Sequence, residues 1–252
     1  KQVNVQQFKS LNPSLKTVKS NPNALALIIG ISDYEHSPIN ALYADSDAKT
    51  FYDYANLKLG IPTSNIKEMI NDGAERIDIK RAIQIWLSKR IIKNKTDIYV
   101  FFAGHGLAAP ETQDMYLLPY DSFADSLKDS AITRNELFAD INRTKPRSVT
   151  VFLDACYSGI TRTGKTLVAN LRPLIMPVEA QSVPDNFTVL SAAKGNQTSQ
   201  SLEEAKHGLF SYYMMLGMEG GADLNADNKI TARELHEYVV DKVERQSQFR
   251  QT

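Results

Sequence analysis

Two short apolar runs, Ile98 to Phe102 and Val149 to Leu153, each stop against a polar turn that carries reactive side chains. The first leads into Gly104-His105-Gly106, the second into Asp154-Ala-Cys156-Tyr-Ser-Gly159. Runs rich in Val, Ile, Phe and Tyr with no polar alternation read as strands buried on both faces, as in a parallel sheet covered by helices. Open parallel sheets collect ligand and catalytic groups at the carboxyl ends of their strands. If the two strands are neighbours, the only cysteine of the chain and a glycine-flanked histidine share one rim. That is the layout of a thiol nucleophile and its base.

At 252 residues with 42% hydrophobic content, the chain can bury a core as one large domain. Lys plus Arg equals Asp plus Glu, 29 against 29, which removes the electrostatic case for nucleic acid or an anionic membrane. No apolar run approaches membrane-spanning length. A single cysteine excludes an internal disulfide and leaves too few thiols for a structural zinc site. The chain opens on Lys1 and ends in polar residues, so a fragment of a larger, multidomain parent is expected. Its location stays open, with the cytoplasm as the default.

Residues 1–23 are polar and read as a lead-in or linker, with a single domain over 24–252. Strands are expected at Ala24 to Ile31, 97–103, Met115 to Leu118, Val149 to Asp154 and Phe187 to Ala192. Helical periodicity covers 45–59 and 77–92, and later 208–218 and 231–246. Thr133-Arg-Asn-Glu136 has the capping-box form that opens a helix running to Ile141. Residues 159–186 lose periodicity and contain Gly164, Pro173, Pro177 and Pro184, the mark of a long functional loop. Alternating strands and helices predict an α/β fold, a three-layer sandwich on a mainly parallel sheet.

The Cys156 region fits three motifs. A thiol is mostly protonated at neutral pH, so a hydrolase needs an imidazole to take its proton, and His105 is the candidate. Gly159-Ile-Thr-Arg-Thr-Gly164-Lys165-Thr166 also satisfies the P-loop pattern. Against it, three residues separate strand from first glycine, and no later apolar strand ends in a magnesium-holding Asp. Cys156 and Arg162 further stand as C-x5-R, the spacing of a cysteine phosphatase, which leaves Gly-His-Gly and Asp154 without a role. A lone cysteine after a strand is commonly a small buried hydrophobe, and a histidine between glycines can simply fill a turn. Together at strand ends they favour the hydrolase over a nucleotide-binding switch or a catalytically silent interaction module.

Phe101-Phe-Ala-Gly-His-Gly106 and Val151-Phe-Leu-Asp-Ala-Cys-Tyr-Ser-Gly159 resemble the histidine and cysteine motifs of the caspase and metacaspase peptidases, particularly bacterial caspase-like domains. The likeness extends through Ala26 to Ile31, Tyr43 to Ala48 and His207 to Tyr212, and covers roughly residues 24–246. It implies a caspase-like sandwich with a larger portion over 24–159, an activation or processing loop at 160–186 and a smaller portion over 187–252. It also implies that Cys156 attacks the scissile carbonyl of a protein or peptide while His105 serves as general acid and base. The amides of Cys156 and Gly106 would hold the oxyanion, and losing one such donor typically costs about 3–4 kcal/mol. No cofactor is required for that chemistry.

Charge then bears on specificity. Asp154 stands where caspases proper carry Gln, and Asp47 where metacaspases place a second pocket carboxylate; by that resemblance both belong to the substrate pocket. A unit-charge pair near a surface is worth about 4 kcal/mol at contact, so two carboxylates select Arg or Lys before the cut and reject Asp. Ala103 and Ala44 occupy positions where metacaspases often have Ser and Cys, which makes the pocket less polar and leaves Arg against Lys open. The competing reading makes Asp47 a helix cap and Asp154 an anchor of the nucleophile turn. Arg162, Lys165 and Arg172 lie just beyond the nucleophile, and the same pocket chemistry predicts self-cleavage there.

Asp223, Asn225, Asp227, the Lys229 carbonyl and Glu234 reproduce EF-hand ligand spacing, with Asn228 at the usual glycine position. Gly220-Gly221 breaks any incoming helix, so this is half an EF-hand at best, with a structural calcium as its ligand. A set of Asx turns capping the last helix is the competing reading. His36, His207 and His236 carry no expected role.

Overall fold

The computed structural model describes residues 8–109, 114–155, 167, 183–192 and 200–247. Its central sheet has five parallel strands: β1 (Ala24–Gly30), β2 (Ile66–Ile70), β3 (Asp97–Ala103), β7 (Ser148–Asp154) and β8 (Phe187–Ser191). The order is β2-β1-β3-β7-β8. β1 is buried along its whole length, and β3 and β7 nearly so, which is why their sequences show unbroken apolar runs rather than alternation.

The crossing from β1 to β2 carries α1 (Ala44–Leu57). The crossing from β2 to β3 carries α2 (Arg76–Arg81), a π turn at Ala82–Leu87 and α3 (Ser88–Arg90). These two crossings run in opposite directions across the sheet. Right-handed connection therefore puts α1 on one face and the α2–α3 run on the other, the three-layer arrangement. α1 buries Ala44, Ala48, Phe51, Tyr54 and Ala55. Gly30 permits its close approach, because a Cβ there would stand 2.4 Å from the Cβ of Ala48.

Between β3 and β7 the chain forms a small antiparallel sheet of β4 (Gly106–Ala108), β5 (Met115–Leu117) and β6 (Ile132–Thr133). α4 (Leu127–Ser130) precedes β6, and α5 (Arg134–Asn142) follows it, opened by Thr133, whose side chain accepts from the Glu136 amide. A two-stranded ribbon of β9 (Ser201–Leu202) and β10 (His207–Gly208) leads into α6 (Leu209–Leu216) and a π turn at Gly217–Gly221. α7 (Ala232–Gln246) begins with a complete Thr231–Glu234 capping box and buries Leu235, Val239 and Val243 as a stripe.

The structure adds β4, β6, α4 and the β9–β10 ribbon to the elements expected from sequence, and departs from that expectation at two longer ones. β2 is an edge strand whose Lys67 and Glu68 are exposed, so its five residues lack the period that marks a buried strand. The expected helix over 77–92 opens into a π turn midway and ends at Arg90. The N-terminal segment, from Phe8 onward, is laid along the domain. The Val18 amide donates to Leu57 at 3.0 Å and the Asn21 amide to Gly60 at 2.7 Å. Phe8 meets Tyr212 edge-on at 5.9 Å. Nearby, buried Glu219 accepts from Lys9 at 2.7 Å, the Asn12 amide at 2.5 Å and the Tyr54 hydroxyl at 2.7 Å.

Candidate active site

The site follows from register. β3 and β7 are adjacent, their last paired residues are Ala103 and Asp154, and the Gly104 amide donates to the Asp154 carbonyl at 3.3 Å. His105 stands two residues beyond Ala103, and Cys156 two residues beyond Asp154. Cys156 itself lies outside the described residues, as do Arg162, Lys165, Arg172 and the whole Gly159–Thr166 stretch. Ala155, its covalent neighbour, is described and buried. Gly106 opens β4 opposite Leu117, and Ala103 closes β3 between Gly30 and Asp154.

His105 is held on three sides. Its ring stacks on Tyr34 with centroids 4.8 Å apart, and its backbone N–H donates to the Tyr34 hydroxyl at 2.6 Å. Its Nε2 lies 2.8 Å from the Ile39 carbonyl. A carbonyl can only accept, so Nε2 is the donor in this contact, and Nδ1 is the ring nitrogen placed for proton exchange. Tyr34 and Ile39 come from the loop after β1, the strand beside β3. Strand order reverses between those two strands, and the crevice at such a switch point is where open α/β sheets place their chemistry. Gly104 is required by the same contact, since a Cβ there would meet the Tyr34 hydroxyl at 2.6 Å.

The two rim carboxylates are enclosed, each 0% exposed. Asp47 Oδ1 lies 2.7 Å from His207 Nδ1, and Oδ2 accepts the Gly208 amide at 2.9 Å. Asp154 Oδ2 accepts the Ser211 hydroxyl at 2.6 Å and the Ser211 amide at 3.3 Å. Both anions therefore converge on one segment, the start of α6. Asp47 does not cap α1: the cap residue is Tyr43 in left-handed geometry, with no side-chain cap bond. His207, given no role from sequence, is the partner of Asp47. Tyr34, Ile39 and Ser211 were likewise not legible, because their contacts bridge residues far apart in the chain. His36 stacks on Phe123 at 3.9 Å.

The Asp223–Glu234 loop leads into the start of α7. No set of three His, Cys, Asp or Glu side chains among the described residues is drawn together tightly enough to hold a metal. No described helix is long and apolar enough to cross a membrane.

A five-stranded parallel sheet with helices packed on it, and with His105 just past the end of a central strand, defines an α/β sandwich. The family model described as the caspase domain matches residues 23–252, and the chain belongs to that family. A solved protein of Geobacter sulfurreducens shares the fold, with a TM-score of 0.64 and 18% identity over 92% of this chain and 91% of that one. No curated protein matches. Family membership supports a cysteine-peptidase-like function acting on protein substrates.

Proposed function

We propose that this domain is a cysteine endopeptidase that cuts polypeptides after Arg or Lys, with Cys156 as nucleophile and His105 as general acid and base. The observation that carries the reading is the matched position of His105 and Cys156, each two residues past the last rung joining β3 to β7. The thiol proton passes to His105 Nδ1, and the thiolate sulfur bonds to the scissile carbonyl carbon. The imidazolium then returns the proton to the departing amine as the carbon–nitrogen bond breaks. Water, deprotonated by the same ring, releases the acyl group. The Ile39 carbonyl steadies the imidazolium through Nε2–H. The Gly106 and Cys156 amides take the oxyanion role.

Asp47 and Asp154 support the basic preference as buried anions at the strand-end rim. Asp47 accepts the Gly208 amide and Asp154 the Ser211 hydroxyl, which fix both carboxylates in place. Arg162, Lys165 and Arg172 are the self-processing candidates. The test incubates wild type, Cys156→Ala and Lys165→Ala with fluorogenic peptides ending in Arg, Lys or Asp. Cleavage after a basic residue is expected, abolished in Cys156→Ala and retained in Lys165→Ala. Preference for Asp overturns the specificity, and absence of cleavage overturns the peptidase. Tight ATP binding lost in Lys165→Ala would establish the nucleotide switch instead. Replacing all three basic residues should abolish the intramolecular cut.

A further inference from the structure

The loop between α6 and α7 is built on its own side chains. Asp223 Oδ1 accepts the Asp227 amide at 3.1 Å and Oδ2 the Asn228 amide at 3.0 Å. Asn225 Oδ1 accepts Asp227 at 2.9 Å, and Asp227 Oδ1 accepts Lys229 at 2.8 Å. Those bonds alone describe a turn of Asx motifs. Glu234 is what they leave unexplained. It is 8% exposed, and its Oε2 accepts the Thr231 amide at 2.9 Å and the Thr231 hydroxyl at 2.8 Å. Its Oε1 is enclosed and has no hydrogen-bond partner.

A capping box uses one carboxylate oxygen. An enclosed second oxygen costs free energy unless a donor or cation meets it. Glu234 is the twelfth residue counted from Asp223, the position from which an EF-hand loop takes its closing bidentate carboxylate.

We propose that Asp223, Asn225, Asp227, the Lys229 carbonyl and both oxygens of Glu234 bind one calcium ion that ties the loop to α7. An all-oxygen set closed by a bidentate Glu suits calcium over the smaller, strictly octahedral magnesium. The carboxylates are not yet gathered into a cluster, so binding turns side chains inward on a backbone already set. That places the affinity in the weak class, with Kd of about 10⁻⁴–10⁻³ M. The ion is structural rather than catalytic.

The experiment melts the full chain in calcium chloride, in magnesium chloride and in EDTA, with equilibrium dialysis against radioactive calcium. At about 10 mM calcium Tm should rise by about 3–10 °C, with a smaller rise in magnesium. Glu234→Gln retains the capping-box geometry, so its melting in EDTA should match wild type while the calcium response is lost. Asp227→Asn provides the same comparison should Glu234→Gln fail to fold. Cys156→Ala should keep the full response, which separates this site from the peptidase reading. Absence of both bound calcium and a Tm rise in wild type overturns the proposal, as does an undiminished rise in the loop variants.

Discussion

Gly104→Ala should disable the histidine without removing any functional group. The added Cβ would stand 2.6 Å from the Tyr34 hydroxyl and 3.2 Å from Phe102 Cζ, well inside the 3.4 Å at which ordinary contact begins. Tyr34 cannot absorb this quietly, because the same hydroxyl accepts the His105 amide at 2.6 Å and the same ring stacks on the imidazole at 4.8 Å. Relieving the overlap moves His105 by several tenths of an ångström to about 1 Å. Misplacement of that order costs about 100-fold in rate, or about 2.7 kcal/mol. Tyr34→Phe removes the obstructing oxygen but strands the buried His105 amide, at about 1–3 kcal/mol. The double variant should therefore lose less than the sum of the singles, with a coupling of about 1–2 kcal/mol. The assay is kcat/KM on a fluorogenic peptidyl-arginine substrate, with Tm recorded for each protein. Gly104→Ala within threefold of wild type, or strict additivity in the double variant, would refute the reasoning.

Glu219→Ala leaves the buried Tyr54 hydroxyl and the Asn12 amide without their acceptor and should cost about 3–5 kcal/mol in urea unfolding; a loss below about 1 kcal/mol defeats it. Glu219→Gln keeps an acceptor for Tyr54 and should cost less. Burial raises the Glu219 pKa, but the Asn12 amide, Lys9 and Tyr54 outweigh it and hold the group below the ordinary glutamate value of 4.5. Its contribution is thus complete above that pH and is lost as pH falls through the depressed folded value. Acid unfolding should be less steep in Glu219→Gln than in wild type, and equal slopes would contradict this. Ser211→Ala removes a hydroxyl donor from buried Asp154 and should lower stability by about 1.5–3 kcal/mol while preserving preference for Arg or Lys, since the anion remains. Loss of the basic preference with unchanged melting would show that the hydroxyl acts on substrate rather than on Asp154.

The sequence by itself determined the sheet and its reactive ends. The apolar runs of β1, β3 and β7 had to be doubly covered strands, because nothing else buries that much Val, Ile, Leu and Phe without polar alternation. Glycine punctuation put His105 just beyond one strand end, and Cys156 falls two residues past another. Local rules also set the openings of α5 and α7, since a capping box spans only four residues. β2 escaped notice because an edge strand keeps charged residues facing water and so loses its period.

Only the tertiary structure decided which groups surround the imidazole. Tyr34, Ile39 and His105 meet because strand order reverses between β1 and β3, and no local pattern encodes that order. The same holds for Asp47 with His207 and Asp154 with Ser211, and for Glu219 with Lys9. Each pair joins residues tens to hundreds of positions apart, where the enclosed carboxylate must find donors wherever the packed chain supplies them.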